Sequence, residues 1–456
     1  MAVIAFACAA TLPALAAGAV TLTECVDQAL ANGPAIRISR TNVALALAQY
    51  VQAASANAFG VTGNAAATHS AAPSRLPVAG QPLSAQDTAQ AGVSLTAPLS
   101  TSIGVSAAHT YLESTYDQIT QFSFSLNATL WDGYPGGIAR ASVQKSGLTL
   151  QATQGTEAAN QKNVVYQVRQ AYYTMLSQQR QQALYQETLA QRREELKRIQ
   201  SLFDANSANR IDLKQAQVNQ AQAELDLRLA QGMIEVNREK LSALIGWPLD
   251  KEYSVAEVDA LPAPDLDIAS AVKIALSQRT DYRQILLNQA SADIDLALKK
   301  GLATPTVTAS SGLTYAQDWL AKSDPNTLPL SWSAGLKVAA PIYDAGAVDA
   351  QVRQAALQKE SVAIQQGQLA ASIAADVKNA IYSLRDLRGR AELAQASQDL
   401  AQSQYDLTLL QLATGASSNL DLLTSSVALT TAKVNAAKAH SDAQLGALAL
   451  QNAMGY

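Results

Sequence analysis

The feature that most constrains this chain is that it is written twice. The stretch "QLATGASSNLDLLTSS", Gln411 to Ser426, has an earlier counterpart in "SLFDANSANRIDLKQA", residues 201–216, at an offset of 209 (421 − 212). The same offset carries "LIGW", Leu244 to Trp247, onto "AMGY", Ala453 to Tyr456. Upstream, "LWDG" (130–133) pairs with "IYDA" (342–345) at an offset of 212 (343 − 131). The starts match as well, "VDQALANGPAI" (26–36) with "VKIALSQRTDY" (272–282), at 246 (272 − 26). Matches in the same order along both halves describe a tandem duplication, the first copy carrying 34 extra residues (246 − 212) before Trp131. A chain of 456 residues exceeds the size at which single cores stop growing, so a repeated, elongated architecture fits its length.

Each copy has the pattern helix, strand pair, long helix, elbow, helix. In the second copy "PLSWSAGLKVAAPIY" places Leu330, Trp332, Ala334, Leu336, Val338, Ala340 and Ile342 on one face of a strand and Ser331, Ser333, Gly335, Lys337 and Ala339 on the other. "QFSFSLNATLW" does the same in the first copy, with Phe122, Phe124, Leu126, Ala128 and Leu130 against Ser123, Ser125, Asn127 and Thr129. "GVTGNAAATH" (60–69) and "TVTASSGLTY" (306–315) are their expected partners, which makes four strands per chain. Strands of about 10 residues suit a tilted bilayer crossing, and the small polar faces suit a water-filled lumen. Four strands cannot close a barrel, so closure requires an oligomer. The Ser/Thr/Ala-rich segment 71–121, with "GVSLTAPL" and "SIGVSAAHTY" as weaker strand candidates, fits either a long external loop or an elongated hairpin.

The runs 138–204 and 347–412 are expected as single helices of some 65 residues, rods of roughly 100 Å. Past the second elbow, Leu420, Leu423, Val427, Thr430, Val434 and Ala437 step by three and four, the spacing of a coiled-coil seam. Val165, Val168, Tyr172, Met175, Leu189, Leu196 and Phe203 fit the same grid in the incoming rod. "QRREELKRIQ" (191–200) is expected to be a solvated face with Glu194 and Arg198 placed for an i,i+4 pair.

Charged residues make up 15% of the chain, against about 25% in ordinary soluble domains. The net charge of −4 offers nucleic acid no basic footprint. The N-terminus, "MAVIAFACAATLPALAAGAV", carries an apolar core ending in an A-x-A pattern, an export signal over 1–16. Of the two cysteines, Cys8 lies inside that segment and Cys25 just after it, so no internal disulfide framework is expected. Beyond residue 20 no apolar window is long enough for a transmembrane helix; a membrane crossing would have to use strands closed into a barrel. The histidines, His69, His109 and His440, are scattered, and no catalytic constellation, metal-ligand spacing or cofactor-cradling loop is legible, so neither an enzyme nor a cofactor is expected.

The divisions that follow are the export signal at 1–16, a first repeat at 17–247, a Pro-rich connector at 248–266 and a second repeat at 267–456. The first repeat comprises a helix, the strand pair 59–131 with its insertion, the long helix 138–204, an elbow at 205–210 and a helix at 211–245. The second comprises a helix, the strand pair 304–343, the long helix 347–412, an elbow at 413–419 and a helix at 420–453.

The duplicated units, the signal and the rods together resemble the outer-membrane efflux protein family, the TolC-like exit ducts. The most specific points are the elbows "DANSANRIDL" and "ATGASSNLDLL" and the strand-to-helix junctions "ATLWDG" and "APIYDAG". The resemblance implies a mixed α/β membrane protein working as a homotrimer. Four strands from each chain would form one twelve-stranded outer-membrane β-barrel, and the coiled-coil helices a periplasmic α-barrel tunnel. It implies export through that duct, by efflux or type I secretion, with a periplasmic adaptor and an inner-membrane transporter of the resistance–nodulation–division or ABC type as partners. The connector and chain ends would form a girdle around the tunnel.

In related ducts the acid past the second elbow lines the constriction at the tunnel tip; Asp421 matches it, Thr424 stands where a second acid would be, and Asp212 matches the acid past the first elbow. The elbows, with Asn206, Ser207 and Ala208 in one and Gly415, Ala416 and Ser417 in the other, would meet the adaptor. The bland alternative for Asp421 is a carboxylate stabilising the start of a helix. The rival to the duct is a periplasmic coiled-coil scaffold whose strands merely cap a bundle.

Overall fold

In the computed structural model the described residues are 19–72, 84–97, 101–112, 117–205, 209–258, 267–318, 329–414 and 416–456. They form two compact units. One comprises the residues up to Arg40 together with Thr156–Tyr282 and Leu369–Tyr456, and the other Thr41–Gly155 with Arg283–Gln368.

The first unit is helical. After a short strand β1 (Ala19–Val20), α1 (Leu22–Asn32) starts on a capping box in which Thr21 accepts from the Glu24 amide and Glu24 accepts from that of Thr21. The helix α2 (Pro34–Ala56) follows and continues into the second unit. The rods are α3 (Ile138–Asp204) and α4 (Arg210–Ile245) in the first copy. In the second copy α5 (Ile268–Gln278) and α6 (Thr280–Gly301) lead toward the strands, and α7 (Ala347–Ala413) and α8 (Asn419–Ala453) follow them. At 67 residues each, α3 and α7 are about 100 Å long.

The duplication is visible in the core residue by residue. One buried cluster contains Cys25, Ala29, Val164, Val168, Tyr172, Met175, Leu241 and Ile245. A second contains Ala271, Ala275, Ile373, Val377, Ile381, Leu384, Leu450 and Met454. The first two positions of each set are related by 246 (271 − 25) and the other six by 209 (373 − 164), the offsets legible in the sequence. Gly246 and Gly455, again 209 apart, both take the left-handed conformation, at φ 82° and 85°. One difference between the copies marks the chain's start. Where the second copy has Ile381, the first has Tyr172, whose hydroxyl donates to the carbonyls of Ala256 (2.8 Å) and Val20 (3.0 Å). It fastens β1 to its parallel partner β6 (Ser254–Val255) in the connector, and burial pushes its phenol up to about 12. Burial likewise pushes the Cys25 thiol up to about 12, so it is a small core hydrophobe rather than a nucleophile.

The seam expected along α8 is buried only in part: Leu423 is buried and Thr430, Val434 and Ala437 are half-buried. Leu422, Leu423, Leu429, Ala432 and Ala436 are buried, whereas Leu420 and Val427 stand 62% and 47% exposed. In α3 the expected seam is largely buried, at Val168, Tyr172, Met175 and Leu189. The ion pair within 191–200 is Arg192 with Glu195 (2.9 Å), not Glu194 with Arg198, because Arg192 is on the packed face and needs a partner there.

The second unit takes in most of α6 and the strand-side parts of α2, α3 and α7, and it holds a single antiparallel sheet of six described strands rather than the four expected: β2 (Gly60–Ala72), β3 (Ser84–Ala97), β4 (Thr101–Leu112), β5 (Asp117–Trp131), β7 (Thr306–Asp318) and β8 (Leu330–Ala339). The spatial order is β2-β3-β4-β5-β7-β8. The segment that fitted a loop or a hairpin is a hairpin, and it stands between β2 and β5, which were expected to pair with each other. Its strands are rich in Ala, Gly, Ser and Gln, whose alternation is weak until a neighbour fixes the register.

Candidate functional site

The site of a chain like this is not a pocket but a surface and a pair of helix starts. The strand registers put the same face of all six strands in line. One row across the sheet runs Gly63, Val93, Val105, Phe124, Leu313, Trp332. The rows beside it are Val61, Leu95, Ile103, Leu126, Ser311, Ala334 and Ala65, Ala91, Ala107, Phe122, Tyr315, Leu330. Among the described residues nothing covers this face: Val61, Val105, Trp332 and Leu336 are 70%, 57%, 78% and 66% exposed. A contiguous apolar area of this kind demands a partner or a lipid phase. At the end of the sheet that includes the last residues of β2 it turns polar, where His69 meets Asp87 (2.5 Å) and His109 meets Thr120 (3.0 Å).

The opposite face alternates with it and is small and hydrophilic: Thr62, Ser94, Gly104, Ser125, Gly312 and Ser333 form one row, and Asn64, Gly92, Ser106, Ser123, Thr314 and Ser331 the next. Hydroxyl pairs join neighbouring strands here, Thr62 with Ser94 and Ser106 with Ser123, both at 2.6 Å. Lys337 of β8 is the only Lys or Arg in the six strands, and it lies on this face. A two-faced sheet with apolar residues outward and small polar residues inward is what a membrane barrel needs. No helix among the described residues is long and apolar enough to cross a membrane. Among the described residues the edges β2 and β8 have no strand partner, so the sheet is an open arc.

The strand-to-helix junctions are built on paired aspartates. Asp132 accepts from the amides of Ile138 (2.7 Å) and Tyr134 (3.4 Å); Asp344, 212 residues on, accepts from those of Val348 (2.7 Å) and Gly346 (3.0 Å). These amide bonds hold the Asp344 carboxyl below its ordinary value. Gly133 takes φ +95° and its counterpart Ala345 φ +53°. In the first copy the turn also abuts the end of α6, where a Cβ on Gly301 would lie 2.0 Å from the Gly133 carbonyl oxygen.

The helix starts past the elbows are matched capping boxes. Asn209 accepts from the Asp212 amide (2.8 Å) and Asp212 accepts from that of Asn209 (3.4 Å). At offset 209 (418 − 209), Ser418 Oγ accepts from the Asp421 amide (3.2 Å), while Asp421 Oδ2 accepts from the Ser418 amide (2.9 Å), the Ser418 hydroxyl (2.7 Å) and the Ser417 hydroxyl (3.2 Å). Those bonds, the Ser418 hydroxyl first, hold the Asp421 carboxyl below its ordinary value. The helix-start role expected as the bland alternative is therefore present at both acids. Thr424 is exposed, its hydroxyl donating to the Leu420 carbonyl one turn back (2.8 Å). Ala416 is exposed, while Asn206, Ser207, Ala208 and Gly415 lie outside the described residues. The signal for the second capping box was present in the sequence as Ser-x-x-Asp, three residues apart.

Replacing Ser418 with alanine is expected to cost about 1 kcal/mol of local helix stability, read as faster hydrogen exchange at the Leu422–Thr424 amides with assembly unchanged. The lowered Asp421 value sets a pH sign. Its contribution is present above the ordinary carboxylate value of 3.8 and is lost as pH falls through the lowered folded value, so exchange at the same amides should rise only in that acidic window.

Comparison with known proteins points one way. The model of the family described as outer membrane efflux protein matches residues 25–247 and 271–456, two segments whose starts are 246 apart and whose ends are 209 apart. Outer membrane efflux protein BepC of Brucella suis is 23% identical over 333 residues, covering 72% of this chain and 71% of that protein. The pyoverdine export outer membrane protein OpmQ of Pseudomonas aeruginosa is 24% identical over 310 residues, 67% of this chain and 64% of its own length. Among solved structures, the outer membrane protein VceC of Vibrio cholerae superposes with TM-score 0.72 at 16% identity, covering 95% of this chain and 96% of that one. CusC, described through its transmembrane channel formation, superposes with TM-score 0.75 at 17% identity, covering 95% and 92%.

Proposed function

This chain belongs to the outer membrane efflux protein family, and from that membership we propose how it is assembled and what it meets. It is an outer-membrane efflux duct with a large periplasmic part. Three copies close one barrel through the free edges β2 and β8, and their rods line one tunnel. A periplasmic adaptor and an inner-membrane transporter, of the resistance–nodulation–division or ABC type, supply the cargo. The family is one of transport channels, not of enzymes. The observation that carries this reading is the two-faced sheet, open at both edges. A scaffold that stayed in the periplasm would have no use for a face with Trp332, Val61 and Phe124 turned to solvent.

At the elbows, Ala416 and Ser417, with Asn206, Ser207, Ala208 and Gly415, form the surface for the adaptor. Asp421 and Asp212 supply the polar ring at the constriction, with Thr424 one turn along. Within one chain the cap holds the Asp421 carboxyl below its ordinary value, whereas three such carboxylates about an axis repel one another, attract cations and push the value the other way. The export signal proposed for residues 1–16 lies outside the described residues.

The test is an Ala416→Trp variant, followed by crosslinking to a co-expressed periplasmic adaptor and by export in cells. Trimer abundance is expected to stay within twofold while adaptor crosslinking and export fall at least tenfold. Normal crosslinking and export with a bulky residue there would remove the elbow from the docking surface.

A further inference from the structure

The hairpin β3–β4 does more than decorate the membrane end of the chain. It occupies the middle of one half of the arc, so that among the described strands β2 pairs with β3 alone, and β5 is reached from β2 across both inserted strands. Its outward residues, Val93, Leu95, Ile103 and Val105, extend the apolar rows of β5, β7 and β8 with no break, and its inward residues, Gly92, Ser94, Gly104 and Ser106, extend the polar rows. The hydroxyl pairs Thr62–Ser94 and Ser106–Ser123 tie it to the strands on either side through that polar face. At 14 and 12 residues these strands are as long as their neighbours and meet the length a tilted crossing requires. A hairpin standing clear of the membrane would have no reason to share both faces with the wall.

We propose that β3 and β4 are transmembrane wall strands, with lipid against Val93 and Val105, and that the assembled barrel has eighteen strands, six from each of three chains. This rests on the trimeric duct proposed above. The occupant of the free edges is a second copy, β2 of one chain beside β8 of the next, because both edges carry the same alternation and an unpaired edge cannot face hydrocarbon. Barrel diameter grows roughly linearly with strand number, so the lumen in the membrane is about one and a half times as wide as a twelve-stranded wall would give.

Electron microscopy of the purified protein in lipid nanodiscs should show eighteen strands in cross-section. Deleting Ser84–Leu112, which leaves β2 and β5 antiparallel and free to pair, should give a narrower, twelve-stranded trimer. In the full chain, Val93→Lys should lower assembled trimer in the outer membrane at least tenfold, while Gln90→Lys, on the polar face of the same strand, should leave it within twofold. A wild-type trimer with a twelve-stranded wall and residues 84–112 outside it, or equal tolerance of both lysines, overturns this proposal and leaves the duct intact. A wild-type protein that forms no trimer in the membrane overturns the duct itself, and this inference with it.

Discussion

Arginine at Phe124 is expected to remove most of the assembled protein from the outer membrane, whereas arginine at Ser125, the next residue, should leave it within about twofold. The two positions share a strand, a depth and a backbone environment and differ only in the face they occupy. Phe124 lies in the apolar row between Val105 and Leu313, and Ser125 in the polar row between Gly104 and Gly312. A cationic side chain facing lipid near the bilayer midplane costs about 2–4 kcal/mol, and symmetry places one in each chain. Since about 1.4 kcal/mol is a factor of ten, a loss of at least tenfold in folded trimer follows even at the low end. On the lumen side the guanidinium remains in water, where Lys337 already places a cation. The measurement is the amount of heat-labile trimer in isolated outer membranes. Equal tolerance at both sites would show that the apolar face does not meet lipid.

Alanine at Gly301 is expected to be the most damaging small substitution in the junction. Its Cβ would sit 2.0 Å from the carbonyl oxygen of Gly133 and 2.7 Å from the carbonyl carbon. Both are backbone atoms, and neither side can rotate away. The turn at Gly133 is committed to φ +95°, and Asp132 fixes it to the first turn of α3. On the other side Thr304 holds the Gly301 carbonyl (2.7 Å) and accepts from the Trp131 indole (3.1 Å). Overpacking against an immobile backbone costs about 3 kcal/mol, which should appear as a lowered melting point of the detergent-solubilised protein and as lost trimer. Gly367→Ala, in α7 with nothing within 4 Å of the added methyl, is the control; there the helix should gain up to about 1 kcal/mol. Similar behaviour of the two variants would exclude the glycine contact as a structural requirement.

Much of the fold was legible because duplication and long-period patterns survive in single sequences. The offsets of 209 and 246 drawn from the elbows and from the copies' starts later named the same buried positions in both cores. The rods were legible from helical spacing over many turns, and the capping acids Asp212 and Asp421 from their place after a break. The inserted strands were legible only as two weak candidates, "GVSLTAPL" and "SIGVSAAHTY", since "SAQDTAQA" at the start of β3 has small or polar residues on both faces and does not tell inside from outside until β4 and β5 supply the register. The seam on α8 was right at Leu423 and wrong at Leu420 and Val427 for a related reason. A helix with neighbours on two sides shows two stripes, and spacing alone does not say which neighbour belongs to the same chain. The glycine contact at Gly133 and Gly301 joins residues 168 apart (301 − 133), beyond any local signal.

The inserted hairpin also obeys a rule of parity. Each crossing of a sheet carries the chain to the opposite end, so one added strand would deliver α3 to the wrong end of β5. Two added strands cancel. The chain enters β2 from α2 at the end marked by Gly60 and leaves β5 for α3 at the end marked by Trp131, which the registers place together. The wall can therefore change its girth only in steps of two strands per chain, six per trimer, and each step leaves every helix on the side where it started. Such a duct can widen its mouth in the membrane without redesigning the machinery beneath it.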